Sequence, residues 1–238
     1  VSETIVLLHG FSGTRRAWDG VTALLDPERY RPLALDLPGH GERAGDPWPI
    51  TFKACVEGVL EAAPERFALC GYSLGGRVAL HVALAAPERV SRLVVIAANP
   101  GIEDLKERAE RLAADERLAQ RLESEPFEDF IESWRTQPLF AEDPPVVGEM
   151  ARADQRRNDP LALAAVMRGL STGAMTPLWD RLGELQMPVT FVAGTGDEKF
   201  RAIGERFAAE CPACSVTVVE GGHGLPLENP KAVAASVD

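Results

Sequence analysis

The stretch Phe67-Ala68-Leu69-Cys70-Gly71-Tyr72-Ser73-Leu74-Gly75-Gly76-Arg77 decides the fold. The apolar run Phe67 to Cys70 has the length and composition of a buried strand, and Leu74 to Ala86 carries a helical pattern. Between them, Gly71-Tyr72-Ser73-Leu74-Gly75 is a G-x-S-x-G at a strand-to-helix turn. Such a turn presents its serine on a strained backbone, and side chains in place of Gly71 and Gly75 would collide with the neighbouring backbone. A serine at this position could also serve as a plain helix N-cap. The strand, tight turn and helix in direct succession favour a nucleophile.

Outward from this turn, short β-branched runs alternate with longer helical patterns, the signature of a parallel sheet covered on both faces. The expected strands are Ile5–Leu8, Pro32–Asp36, Phe67–Gly71, Leu93–Ala97, Val189–Ala193 and Ser215–Val219. Most gaps fit one crossover helix. The stretch from Asn99 to Gln186 does not: it carries helical patterns (Asp104 to Glu123, Pro126 to Trp134, Leu161 to Leu170) and no convincing strand. Residues 1–98 and 187–238 are therefore expected to form an α/β core, with 99–186 an inserted helical cap. An insertion at the carboxyl edge of an open sheet lies where such sheets bind ligands.

The chain's 238 residues, 45% of them hydrophobic, suffice for one compact domain. A formal net charge of −11 argues against a nucleic-acid surface, which needs a concentrated basic face. No apolar run is long enough to cross a bilayer and no signal peptide opens the chain, so a soluble cytoplasmic protein is the expectation. Oligomeric state is not legible. Cys211-Pro212-Ala213-Cys214 leaves a helix and enters a strand, the reverse of a redox C-x-x-C, and is read as unpaired thiols. With no second pair and no nearby histidine, zinc is not expected either.

A serine nucleophile at neutral pH needs a base, and a developing oxyanion needs preorganised donors. Gly221-Gly222-His223-Gly224 places an imidazole on a loop after the last strand, whereas His9, His40 and His81 read as structural. The acid orienting His223 should follow the preceding strand, where Gly194-Thr195-Gly196-Asp197 supplies Asp197. Asp180 precedes that strand and Glu220 abuts the histidine too closely. The resulting order Ser73, Asp197, His223 is that of G-x-S-x-G enzymes. The oxyanion donors would be the backbone N–H groups of Leu74 and of Phe11, in the loop His9-Gly10-Phe11-Ser12-Gly13.

With these residues the chain resembles the α/β-hydrolase family, and within it the 2-succinyl-6-hydroxy-2,4-cyclohexadiene-1-carboxylate synthases of menaquinone biosynthesis. The similarity runs nearly end to end. It rests on LLHGFSGTRRAW from Leu7, DLPGHG from Asp36, GYSLGGRVAL from Gly71, NPGIEDLKERAER from Asn99, WRTQPLF from Trp134 and GDEKF from Gly196. The resemblance implies an α/β-hydrolase fold, with a mostly parallel sheet, helices on both faces and an inserted helical cap. It also implies a lyase that eliminates pyruvate from a small polycarboxylate substrate, with Ser73 as general base and no metal or organic cofactor. Cap arginines matching Arg111 and either Arg156 or Arg157 are implied to hold carboxylates. Tyr72, Trp134 and Phe140 match pocket residues in the same way.

Arg77 carries an argument of its own. It lies in the first turn of the nucleophile helix, where a cation opposes the positive end of the helix dipole at a cost of about 0.3–1 kcal/mol. A bound carboxylate gripped by the guanidinium fork would offset that cost. The alternative is a carboxylesterase working through an acyl-serine, which would use the same triad but prefer an apolar acyl slot. A non-catalytic binding module would usually lose a triad position, and a dehalogenase would carry a carboxylate in place of Ser73.

Overall fold

The computed structural model describes residues 2–46, 50–140 and 143–237; Val1 and Asp238, the outer limits of the expected core, lie outside them. Six strands form one sheet: β1 (Glu3–Leu8), β2 (Tyr30–Leu35), β3 (Phe67–Tyr72), β4 (Val90–Ile96), β5 (Val189–Gly194) and β6 (Cys214–Val219). Their order is β2-β1-β3-β4-β5-β6, and each neighbouring pair is parallel. Central strands of a sheet covered on both faces should be apolar throughout rather than alternating. Ile5 to Leu8 on β1 and Phe67 to Cys70 on β3 are accordingly buried without interruption, while the edge strand β6 is half exposed.

The helices are α1 (Asp19–Thr22), α2 (Phe52–Ala62), α3 (Leu74–Ala85), α4 (Leu105–Ser124), α5 (Phe127–Arg135), α6 (Pro145–Gln155), α7 (Pro160–Gly169), α8 (Glu198–Glu210), α9 (Leu225–Glu228) and α10 (Pro230–Val237). Helix α3 buries Leu74, Val78, Leu80 and Val82 against the sheet. Between β4 and β5 the chain runs through α4 to α7 without adding a strand among the described residues. Ala119 and Leu122 of α4, Phe130 of α5, and Leu163, Ala164 and Met167 of α7 make a second, smaller apolar cluster.

The sheet order positions the site. From β1 the chain passes to β2 on one side, then returns to β3 on the other, so the loops leaving the carboxyl ends of β1 and β3 diverge. A crevice opens where strand order reverses in this way. The loop after β1 holds residues 9 to 14, and the turn after β3 holds Ser73.

Candidate active site

Ser73 has φ +52° and ψ −110°, outside the regions a non-glycine residue favours. The flanking glycines allow this. A Cβ at Gly75 would lie 2.1 Å from the Leu8 carbonyl oxygen, and one at Gly71 would lie 2.3 Å from that of Gly75. The turn thus packs its backbone directly onto β1 and lifts the Ser73 hydroxyl above the carboxyl edge of the sheet.

The imidazole of His223 lies between Ser73 and Asp197. Its Nδ1 is 2.8 Å from Asp197 Oδ2 and its Nε2 is 3.3 Å from Ser73 Oγ. Only a carboxylate faces Nδ1, so the neutral ring carries its proton there and turns a lone pair toward the serine. Asp197 is held in turn at the start of α8, where its Oδ1 accepts from the Phe200 amide at 3.3 Å. The histidine is 2% exposed, walled by the rings of Tyr72, Phe140 and Phe200. Burial on this scale removes competing water from the imidazole.

The loop after β1 is fixed by buried polar contacts. His9 Nε2 accepts from the Leu37 amide at 3.0 Å while its Nδ1–H donates to the Gly10 carbonyl at 2.8 Å. His40 Nε2 accepts from the Ser12 amide at 3.3 Å, with Ser12 at φ +59°. Burial lowers the pKa of both rings, and the neighbouring His9 adds to the effect at His40, which keeps them neutral and able to accept. From the far end of α6, Asp154 accepts from the amide and hydroxyl of Thr14, at 2.7 and 2.5 Å. Gln155 Nε2 donates to Ser12 Oγ at 2.9 Å, and Asn158 Nδ2 donates to the Ser12 carbonyl at 2.8 Å. Asn158 Oδ1 also accepts from Gly41 N at 2.9 Å. Asn158→Ala leaves a buried carbonyl and a buried amide without these partners, so it should lower unfolding stability by about 1–3 kcal/mol. A shift in the urea midpoint at constant slope would measure this; an unchanged midpoint would contradict it.

One pocket brings the expected residues together. It is lined by Phe11, Ser73, Leu74, Arg77, Arg111, Trp134 and His223, among others. As first residue of α3, Leu74 has an amide with no acceptor inside the helix. Arg77 Nη1 donates to the Leu170 carbonyl at 2.5 Å, and its guanidinium lies 5.8 Å from the Phe52 ring centroid. Burial, then the nearby charge of Arg111, lowers its pKa to about 10, still cationic at neutral pH. Arg111 engages both oxygens of buried Asp115 through Nε alone, each at 2.9 Å. This leaves the other edge of its guanidinium for the pocket.

Tyr72 and Phe140 flank His223 but line an adjoining cavity, which Trp134 shares with the main pocket. Arg156 and Arg157 are a correction to the expectation from sequence, because neither lines either cavity. Arg156 forks Glu128 on the outer surface at 2.7 and 2.8 Å, and Arg157 turns back to Asp154 at 3.7 Å. The turn ending α6 points Asp154, Gln155 and Asn158 inward to the loop after β1, so the two arginines between them face outward.

The pocket also holds two charged residues to which the sequence reading assigns no role there, Lys199 and Asp115. Lys199 reaches the pocket from the first turn of α8, two residues beyond Asp197, and has no ion pair among the described residues. It belongs to the run Gly196 to Phe200, which carries the resemblance but whose spacing does not say which way the lysine faces. Asp115 lies one turn beyond Arg111, a spacing that places both on one helix face. Among the described residues no group of His, Cys, Asp and Glu could hold a metal ion, and no helix is long and apolar enough to cross a membrane. All four cysteines are free, Cys211 and Cys214 included.

A parallel sheet that lifts a strained serine toward a buried histidine and carboxylate defines a class, and the chain belongs to the alpha/beta hydrolase family, which it matches over residues 5–236. Within that family it is 34% identical over 244 residues to the 2-succinyl-6-hydroxy-2,4-cyclohexadiene-1-carboxylate synthase of Salmonella newport (strain SL254), covering 99% of this chain and 92% of the relative. Among solved structures, MenH from S. aureus superposes with a TM-score of 0.92 at 28% identity, covering 99% of this chain and 91% of that one. The enol-lactonase from Burkholderia xenovorans LB400, at a TM-score of 0.84 but 20% identity over 100% of this chain and 90% of that one, shares the fold alone.

Proposed function

We propose that this chain eliminates pyruvate from 2-succinyl-5-enolpyruvyl-6-hydroxy-3-cyclohexene-1-carboxylate, giving 2-succinyl-6-hydroxy-2,4-cyclohexadiene-1-carboxylate in menaquinone biosynthesis. It is a carbon-oxygen lyase of the cytoplasm that uses the Ser73–His223–Asp197 triad. The observation that carries this reading is the pocket's charge. In a protein of net charge −11, the cavity beside Ser73 gathers Arg77, Arg111 and Lys199. Among the described residues, the Arg77 guanidinium makes one hydrogen bond, to a carbonyl, and Lys199 has no ion pair. Such an arrangement suits a substrate with several carboxylates and suits an apolar acyl chain poorly.

In this mechanism Ser73 Oγ, polarised by His223 Nε2, takes the proton from the ring carbon next to the succinyl carbonyl. The enolate oxygen accepts hydrogen bonds from the Phe11 and Leu74 amides, preorganised by the histidine and α6 contacts to the loop after β1. Its electrons return through the ring double bond, and the bond to the enolpyruvyl oxygen breaks. Enolpyruvate departs and becomes pyruvate on taking up a proton. The proton taken by Ser73 is held on His223, whose cation Asp197 stabilises. Residues 99–186 act as a cap whose α4, α5 and α7 side chains complete the pocket wall.

An acyl hydrolase would use the same triad with Ser73 attacking a carbonyl, so the test compares both chemistries. Purified protein given the enolpyruvyl substrate should release pyruvate stoichiometrically, followed by coupled lactate dehydrogenase. No pyruvate release alongside brisk cleavage of short-chain nitrophenyl esters would overturn the lyase reading.

A further inference from the structure

Behind His223, away from the pocket, lies a cluster of acidic and basic side chains, Glu228, Asp143 and Arg135, that the elimination does not use. Glu228, the last residue of α9, accepts from the Gly222 amide through Oε2 at 2.6 Å, gripping the loop one residue before the histidine. Its Oε1 is buried and has no donor among the described residues. The carboxyl of Asp143, which precedes α6, converges on the same place: Glu228 Oε1 and Asp143 Oδ2 lie 3.0 and 3.9 Å from where a Cβ on Gly224 would be. Asp143 is itself ion-paired with Arg135, and both side chains are almost wholly buried. Arg135 then covers Phe140 at 4.3 Å, and the Phe140 ring packs against His223 with centroids 6.1 Å apart.

Two carboxyl groups in hydrogen-bonding contact cannot both be ionised; one must carry a proton for the other to accept. Asp143 is paired with the Arg135 guanidinium. Glu228 has no ion pair among the described residues; the Gly222 amide donates to Oε2 and the Gly224 amide lies nearby, which leaves Oε1 as the oxygen to carry the proton. We propose that Glu228 is a positioning residue for His223: as the neutral acid it bridges the Gly222 amide to Asp143, so that the histidine loop and the overlying α5–α6 segment are held as one unit. The segment that completes the pocket thereby also sets the distance between His223 and Ser73. Burial and the adjacent Asp143 raise the pKa of Glu228, in keeping with this state. The charged and titratable groups around the joint are Asp143 and Arg135 from the cap, Tyr72 from β3, and the His223–Asp197 pair.

This inference rests on His223 being the base, and the test separates the two. Wild type, Glu228→Gln and Glu228→Met are compared for pyruvate release and for short-chain ester cleavage across pH. Glutamine keeps an oxygen for Gly222 and supplies an N–H for Asp143, so Glu228→Gln should hold kcat within about twofold. It should also lose less activity than wild type as pH rises, because it has no proton to give up. Glu228→Met should lower kcat about tenfold on both substrates with KM little changed, the signature of a misplaced base behind an intact pocket. Glu228→Gln as impaired as Glu228→Met would overturn the proposal by showing that a charge is required, and so would wild-type kcat in Glu228→Met. If the methionine variant does not fold, the pH comparison of wild type with Glu228→Gln decides: coincident profiles overturn it. Inactivity of wild type on both substrates would instead remove the triad reading, and this proposal with it.

Discussion

Ser73→Ala should lower kcat for pyruvate release by about 10³-fold, within the 10²–10⁴ range that a positioned acid–base group contributes. The substitution removes the hydroxyl that His223 Nε2 faces at 3.3 Å, and leaves the Phe11 and Leu74 amides where they are. KM should therefore change little, since the cations proposed to bind substrate are untouched. Ester cleavage should fall at least as far, because a nucleophile is lost rather than a base. Steady-state kinetics on both substrates, with a thermal melt to confirm folding, would decide. Pyruvate release within tenfold of wild type would mean that His223 takes the carbon proton unaided, ending the assignment of Ser73.

Arg77→Ala should reduce kcat/KM for the polycarboxylate about 10²-fold while leaving ester cleavage within about twofold. A charge-assisted hydrogen bond contributes about 1.5–3 kcal/mol, and about 1.4 kcal/mol is a factor of ten. The upper part of that range applies because Arg77 is half-buried, with burial already drawing its pKa down to about 10. A substrate carboxylate would add a counter-charge to that of nearby Asp115, and would screen Arg77 from Arg111. Arg77→Lys should not restore activity, since a point charge lacks the planar fork. Equal losses on both substrates would show that Arg77 only braces the Leu170 carbonyl, and would remove its role in recognition.

Both effects concern residues that could be read from the sequence, because their signals are local. Ser73 stands between the glycines that its turn demands, and Arg77 follows one helical turn later. The apolar runs fall within two residues of five of the six strands at each end; β4 begins earlier than its pattern suggests, at Val90 rather than Leu93, because Ser91 and Arg92 interrupt the apolar run. The helix α6 was not foreseen. Its sequence Pro145 to Gln155 mixes apolar, small and charged residues with exposed Val146 and Met150, so no clean amphipathic face announces it. With α6 went the contacts from Asp154, Gln155 and Asn158 to a loop some 140 residues earlier in the chain. Pairings of that range leave no mark on spacing or periodicity. The outward turn of Arg156 and Arg157 follows from the same helix ending, and so could not be read without it.

Those long-range contacts bear on how the protein can be rebuilt. The amide of Phe11 belongs to the scaffold by sequence, yet its setting is dictated by side chains of the insertion. Lid exchange between relatives of this fold would therefore not be a simple transplant of selectivity. A grafted lid lacking an acid equivalent to Asp154 and an amide equivalent to Asn158 would leave the anion cradle slack, and the chimaera would lose turnover before any new preference could be observed.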